Sequence, residues 1–196
     1  MSLKIFKSLT KITGILLAAG ASRRFGRPKL VEPLASGEPL GILAAKNLIS
    51  FLSSSLVVVS DQDNALVSRY RQLGLDVVTN EAADEGMAAS LVKGIQSSPE
   101  SDAWIIALAD MPWVKPETIG LIKNRLEGGA SMVAPLYQGK RGHPVGFSSQ
   151  WKTALLNLQG DKGGRELLRK HADQVSLIDT DDEGILLDVD YPQDLK

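Results

Sequence analysis

Arg23, Arg24, Arg27 and Lys29 follow directly on a run of small residues, Ala18-Ala19-Gly20-Ala21-Ser22. Small side chains let backbone N–H groups approach phosphate oxygens closely, and guanidinium and ammonium groups balance phosphate charge. The chemistry this predicts is a grip on a nucleoside triphosphate. Neither of the two commonest phosphate loops is present. Gly14, Gly20 and Gly26 do not make G-x-G-x-x-G, and no G-x-x-x-x-G-K-[ST] occurs. By residue type alone, the same charges also suit a solvated turn.

Two acidic positions stand out against apolar surroundings. Asp110 ends the run Trp104-Ile105-Ile106-Ala107-Leu108-Ala109, where a carboxylate needs compensation. A hard cation shared with substrate phosphates supplies it, and so does a turn in which Asp caps the chain before Pro112. Near the end, Asp188 and Asp190 sit at i, i+2 and project from one side of an extended segment. By residue type they suit an acidic surface that stays wet. Asn80 offers a paired donor and acceptor after a strand, and Gly86 opens the helix carrying Met87 and Ser90, a place where a nucleotide could be read. His143, held between Gly142 and Pro144 beside Lys140 and Arg141, suits either a phosphate contact or an exposed hairpin turn. His171, after Arg169-Lys170, reads as a helix C-terminal charge.

The elements that position these residues alternate. Ile15-Leu16-Leu17 is apolar without alternation, as in a strand covered on both faces of a parallel sheet, where ligands gather at the carboxyl ends. Pro39 to Leu52 has a helical period, Leu56 to Val59 reads as a strand, Ala65 to Leu73 as a helix ended by Gly74, and Leu75 to Thr79 as a strand. Gly86 to Gln96 then reads as a helix, Ala103 to Ala109 as a buried strand, Pro116 to Leu126 as a helix begun on proline, and Met132 to Leu136 as a strand. The pattern predicts an α/β fold, and the absence of any linker predicts one domain over residues 1–196.

The loop resembles that of the nucleotidyltransferases acting on molybdenum cofactor, with Leu17, Ala18, Ala19, Gly20, Ser22, Arg24, Gly26 and Lys29 in place and Phe25 where Met is usual. Leu108-Ala109-Asp110-Met111-Pro112 resembles the same family's metal motif, and the Asp188 to Asp194 stretch its closing motif, with Tyr191 in place of Thr. Asn80, Gly86, Met87 and Ser90 match its base and ribose element. Arg141-Gly142-His143-Pro144-Val145 and Gly160-Asp161-Lys162-Gly163-Gly164-Arg165 are similar to elements on its acceptor side. The resemblance runs from Ile12 to Leu195. It implies a three-layer αβα sandwich, doubly wound around a mostly parallel sheet, and transfer of a nucleoside monophosphate to a phosphorylated acceptor with loss of pyrophosphate. Leu17 to Arg24, Gly26 and Lys29, with Asn80, Gly86, Met87 and Ser90, would hold the nucleotide. Arg24, Lys29 and Asp110 would be catalytic, Mg²⁺ would sit on Asp110 and Asp190, and Arg141, His143, Asp161 and Arg165 would meet the acceptor.

Ala19 and the Arg-Gly-His-Pro element are closer to the cytidylyltransferase branch, which favours CTP over GTP and a molybdopterin-type acceptor. A sugar-phosphate or alditol-phosphate nucleotidyltransferase, or a nucleotide-binding accessory protein of a molybdoenzyme, are the alternatives. A molybdoenzyme or its insertion chaperone is the partner the resemblance implies. Composition narrows the field independently. With 22 basic and 23 acidic residues the chain has no global field for nucleic acid or an anionic membrane. It has no cysteine, which excludes disulfides, thiolate metal sites and a Cys nucleophile and fits a cytoplasmic enzyme. No apolar run approaches the ~20 residues of a membrane span. Lys4, Lys7 and Lys11 ahead of an apolar stretch resemble a signal peptide, but the stretch is short, contains Gly14 and leads into a basic loop.

Overall fold

A computed structural model describes residues 11–60, 64–160 and 163–195. Lys4, Lys7, Asp161 and Lys162 lie outside the described residues. Eight strands form one sheet: β1 (Ile12–Ala18), β2 (Ser54–Val59), β3 (Asp76–Thr79), β4 (Ala103–Leu108), β5 (Met132–Tyr137), β6 (Lys140–Arg141), β7 (Val145–Ser148) and β8 (Val175–Asp179). Six α-helices accompany them: α1 (Leu40–Ile49), α2 (Asn64–Gln72), α3 (Met87–Gln96), α4 (Pro116–Glu127), α5 (Lys152–Leu156) and α6 (Gly163–Lys170). The elements expected from Ile12 to Leu136 are all present, with ends shifted by up to three residues, as frayed termini allow.

The sheet runs β3-β2-β1-β4-β7-β5, with β8 on the far edge of β5. Strands β3, β2, β1 and β4 are mutually parallel, and β5 and β8 are parallel to each other. Strand β7 is antiparallel to both β4 and β5. It exists because β5 turns back through Gln138 and Gly139, both at positive φ, the conformation a two-residue hairpin turn requires. The returning arm is broken. β6 pairs with the end of β5, Gly142-His143-Pro144 leaves the ladder, and β7 resumes it. That bulge displaces His143 from a simple turn.

Two apolar layers flank the sheet. One gathers Leu40, Leu48, Tyr70, Ile119 and Ile122 from α1, α2 and α4 against Leu16 and Val57. The other gathers Leu91, Ile95, Leu155, Leu167 and Leu168 from α3, α5 and α6 against Ile15, Val58 and Trp104. The alternation of Ile15 and Leu16 between layers is the period-two signature of a strand covered on both faces. Glycine sets the spacing where a helix presses on a strand: a Cβ at Gly14 would lie 3.1 Å from Leu48 Cγ of α1 and 2.8 Å from Leu52 Cδ1 just beyond it. Trp104 is fully buried, and its Nε1 donates to Ser98 Oγ at 2.9 Å, so the largest core side chain leaves no polar atom unpaired.

Chain β1 leads to β2 on one side while β4 lies on its other side, so the strand order reverses between β1 and β4. Open α/β sheets bind ligands outside the carboxyl ends of strands at such a switch point. Leu17 pairs with Leu108, and Ala109 N–H donates to the Leu17 carbonyl at 3.0 Å, so the cationic loop and Asp110 leave the sheet side by side. Among the described residues no helix is long and apolar enough to cross a membrane.

Candidate active site

The loop after β1 is shaped by two left-handed residues, Ser22 (φ +48°) and Gly26 (φ +81°). Ser22 carbonyl accepts from Phe25 N–H and Gly26 N–H, both at 3.1 Å, and Ser22 Oγ accepts from Lys29 N–H at 3.2 Å. The serine therefore closes the turn rather than standing free. Phe25 is buried in the core, and Arg27 lies over its ring at 5.3 Å from Cζ to the centroid. Phe25 therefore anchors the loop from beneath. Arg27 is tied to Glu32 by two hydrogen bonds of 2.6 and 2.8 Å, away from Arg24 and Lys29.

Lys29 is buried, and each of its ammonium hydrogens has an acceptor: Asp110 Oδ2 at 2.8 Å, the Val189 carbonyl at 2.7 Å and Asp190 Oδ1 at 3.5 Å. Arg24 Nη1 donates to Asp190 Oδ2 at 2.5 Å. Asp110 and Asp190, far apart in sequence, thus meet around a single nitrogen. Backbone pairing brings them there, because Val189 N–H donates to the Asp110 carbonyl at 2.9 Å and the Val189 side chain is fully buried. Asp188, the other acid of that segment, is exposed. Its carboxyl is raised by partial desolvation and then by the neighbouring charges of Asp110 and Asp190, while Lys29 opposes the shift. Asp190 holds the Arg24 guanidinium even more firmly protonated, through its hydrogen bond first and its charge second.

These groups line one cleft of about 710 Å³, bounded by Leu17 to Arg24, Lys29, Asn80, Gly86, Met87, Ser90, Asp110 and Asp190. Gly26 borders a smaller adjoining hollow of about 300 Å³ that shares Gly20 to Arg23. Asn80 Nδ2 donates to Ser90 Oγ at 3.0 Å and its Oδ1 accepts from Ala82 N–H at 3.2 Å, so its side chain braces the far wall from within. Gly86, at φ +109°, starts α3 in a conformation only glycine adopts without strain. Met87 is exposed on that wall.

Arg141, His143 and Arg165 stand apart from the cleft lining, and Asp161 is outside the described residues. Arg141 Nη1 donates to the Leu168 carbonyl at 3.1 Å and ties β6 to α6. His143 N–H donates to the Ile185 carbonyl at 3.0 Å, and no Cβ fits on the preceding Gly142, which would lie 2.2 Å from that same oxygen. The imidazole is held neutral, its pKa lowered to about 4 by burial and by Arg165, against the pull of Asp110 and a hydrogen bond to the Ile106 backbone. Its Nδ1 is buried with no partner among the described residues. His171 follows the end of α6, as expected, and its ring packs against Trp151 at a tilt of 58°, with centroids 4.7 Å apart.

Sequence reasoning missed Asp194. Its Oδ2 accepts from the N–H groups of Asp190 at 3.0 Å and Tyr191 at 2.7 Å, fixing the segment that carries Asp190. The available signal was an acid three residues after Tyr191 and two after Pro192, the pattern of a capped turn. Also missed were Glu81, Asp84 and Glu85, which line the cleft opposite the cationic loop.

The MobA-like NTP transferase domain matches residues 14–175. The chain belongs to that family. It is 30% identical over 189 residues to nicotine blue oxidoreductase of Paenarthrobacter nicotinovorans, covering 91% of this chain and 92% of that one. It is 29% identical to the purine catabolism protein PucB of Bacillus subtilis, covering 93% of each. Rv0371c of Mycobacterium tuberculosis superposes with a TM-score of 0.83 at 28% identity, covering 94% of this chain and 96% of that one. A second structure of Rv0371c, described as a complex with manganese, gives 0.77 at 26% identity over the same shares. This MobA-like chain is therefore a nucleotidyltransferase built on a mixed, mostly parallel sheet. The family match ends at Val175, so the place of Asp188, Asp190 and Asp194 in the cleft rests on the backbone pairing of Val189 with Asp110.

Proposed function

We propose that residues 1–196 act as a single domain that transfers CMP from CTP to the phosphate of a molybdopterin-type cofactor, with Mg²⁺ and with release of pyrophosphate. The observation that supports this most is the meeting of Asp110 and Asp190 beside Lys29 and Arg24 at the mouth of the β1 loop. Among the described residues no group of three acids or histidines is arranged as a closed metal site. Two carboxylates suit Mg²⁺ in this setting, since that ion takes one or two protein carboxylates and completes its shell with phosphate oxygens and water. Mg²⁺ held by Asp110 and Asp190 would supply charge neutralisation and a template for the reacting phosphates.

The chain's own residues carry the remaining work. An acceptor phosphate oxygen bonds to the α-phosphorus as the bond from that phosphorus to the bridging oxygen breaks, so two anions must be brought in line. Backbone N–H groups of Ala19 to Ser22 hold the β- and γ-phosphates, and Arg24 and Lys29 neutralise the charge that builds on the departing pyrophosphate. Asn80, Gly86, Met87 and Ser90 form the wall for base and ribose. Arg141, His143, Asp161 and Arg165 are assigned to the acceptor. The CTP preference rests on Ala19 and the Arg141-Gly142-His143-Pro144 element.

The test is pyrophosphate release with CTP, GTP, ATP and UTP, each with and without molybdopterin cofactor and Mg²⁺. Release with CTP alone among the four, dependent on both cofactor and metal, is expected. Release only with GTP overturns the base assignment. Nucleotide binding without release under any condition makes the protein an accessory binder.

A further inference from the structure

Four charged groups that a metal–nucleotide complex would use, Arg24, Lys29, Asp110 and Asp190, are already paired with one another inside the protein. Asp190 presents Oδ2 to Arg24 and Oδ1 to Lys29, and Asp110 presents Oδ2 to Lys29. Arg24 is largely exposed, with a side chain 68% accessible, so its guanidinium is free to swing, while Lys29 is buried and fully satisfied. We infer that Arg24 and Lys29 serve as internal counterions for Asp110 and Asp190, so that divalent cation and nucleotide each free the groups the other binds. This rests on the reading above that the cleft accepts a cation on its carboxylates and a triphosphate on its loop.

The physical argument is an exchange of partners. A divalent cation placed on Asp110 and Asp190 adds like charge within reach of Lys29 Nζ and Arg24 Nη1 and drives both outward toward the loop. A triphosphate on the loop draws the same two cations away and leaves the carboxylates unpaired. Either ligand arriving alone must break contacts that it does not replace, and the two together replace all of them. Arg24 and Lys29 thus act as positioning residues that couple the two binding events, in the sense that each ligand raises the affinity for the other. Asp194 keeps the device in register by holding the backbone of Asp190 while its side chain changes partner.

The test reads binding rather than turnover. Calorimetry with metal-free CTP in chelator is run on wild type, Asp190→Asn, Arg24→Ala and the double variant, with circular dichroism checking the fold of each. Asp190→Asn is expected to bind metal-free CTP about fivefold more tightly than wild type, the scale of a released, partly exposed ion pair. In the Arg24→Ala background the same substitution is expected to change affinity by less than about twofold, because the close partner is gone and Lys29, 3.5 Å from Asp190, stays held by Asp110 and the Val189 carbonyl. An equal gain in both backgrounds, or no gain in either, means plain repulsion or no effect and overturns the exchange.

A second arm uses Mn²⁺ alone, read by electron paramagnetic resonance. Arg24→Ala is expected to bind it more tightly than wild type, and the gain is expected to vanish when Asp190 is Asn; a gain that persists there overturns the exchange. Failure of wild type to bind CTP or GTP with or without metal overturns both this inference and the function proposed above. The binding signature without pyrophosphate release removes the transferase reading and leaves the exchange standing.

Discussion

Replacing Lys29 by Met keeps the length of the aliphatic stem and removes the charge that three acceptors converge on. Asp110 then loses its ion-pair partner, Asp190 keeps Arg24, and the Val189 carbonyl loses its donor. Breaking a buried ion pair costs about 3–5 kcal/mol, but these carboxylates are not sealed from water. Their side chains remain 25% and 33% exposed, so solvent screens part of the cost. A loss of about 2 kcal/mol is the resulting expectation, between the buried figure and the ~1 kcal/mol ceiling of an exposed pair. For a chain of 196 residues that lowers Tm by roughly 4–8 °C. Loss of a charged partner of the departing pyrophosphate also lowers kcat/KM by ~10²–10³. Thermal unfolding with and without Mg²⁺ separates the two roles, because the cation can restore charge balance between the carboxylates but cannot replace Lys29 at the loop. The variant should gain more Tm from Mg²⁺ than wild type does while turnover stays low. A variant with wild-type Tm and near-normal turnover would refute the assignment of Lys29 to the centre of the network.

Asp194→Ala removes the acceptor that fixes Asp190, and a loss of roughly 10–100-fold in metal affinity or turnover is expected, the scale for groups that orient a ligand from behind; metal titration checks it, and an unchanged affinity refutes it. His143 has a folded-state pKa of about 4 against an ordinary 6.5, so the unfolded chain takes up a proton first as pH falls. Stability from this group is therefore complete above pH 6.5 and declines toward pH 4, by at most about 1.4 kcal/mol per pH unit. Denaturant unfolding of wild type and His143→Gln over that window should show the variant with the shallower decline. Phe25→Met restores the residue usual in the family at a buried, volume-tolerant position, and a stability change under about 1.5 kcal/mol with turnover intact is expected; a large loss of turnover would mean that the ring shapes the phosphate loop directly.

How much of this was legible depends on how local the cause is. The helix of Pro116 onward and the strand of Ala103 onward carry their signals in neighbouring residues, and both appear where expected. The cationic loop, Asp110 and Asp190 were legible as residue types, and the structure brings them into one cleft. The antiparallel β7 was not, because strand direction depends on where a chain returns, and the Gln138-Gly139 turn lacks the Asn-Gly signature that marks such hairpins most clearly. The surroundings of His143 were equally hidden. Its backbone N–H is taken by Ile185 and its pKa is lowered in part by the charge of Arg165, and no window around residue 143 contains either. Asn80 shows the same limit from the other direction: its type suits reading a base, yet its amide is engaged by Ser90 and Ala82, partners that only the turn into α3 brings within reach.

The balance of charge in the cleft follows from the topology more than from composition. A loop that binds phosphate must concentrate cations at the carboxyl end of β1, and in isolation Arg24 and Lys29 would repel each other. Placing β4 next to β1 puts Asp110 beside Lys29, and pairing Val189 with the Asp110 backbone adds Asp190 between Lys29 and Arg24. These four charges are thereby balanced against one another, at the expense of making a ligand for any of them compete with an internal partner. A sheet with β1 at an edge could offer the same cations but not the opposed carboxylates, so on the proposed function the reversal of strand order at β1 and β4 is what would let one site accept a cation and a polyanion together.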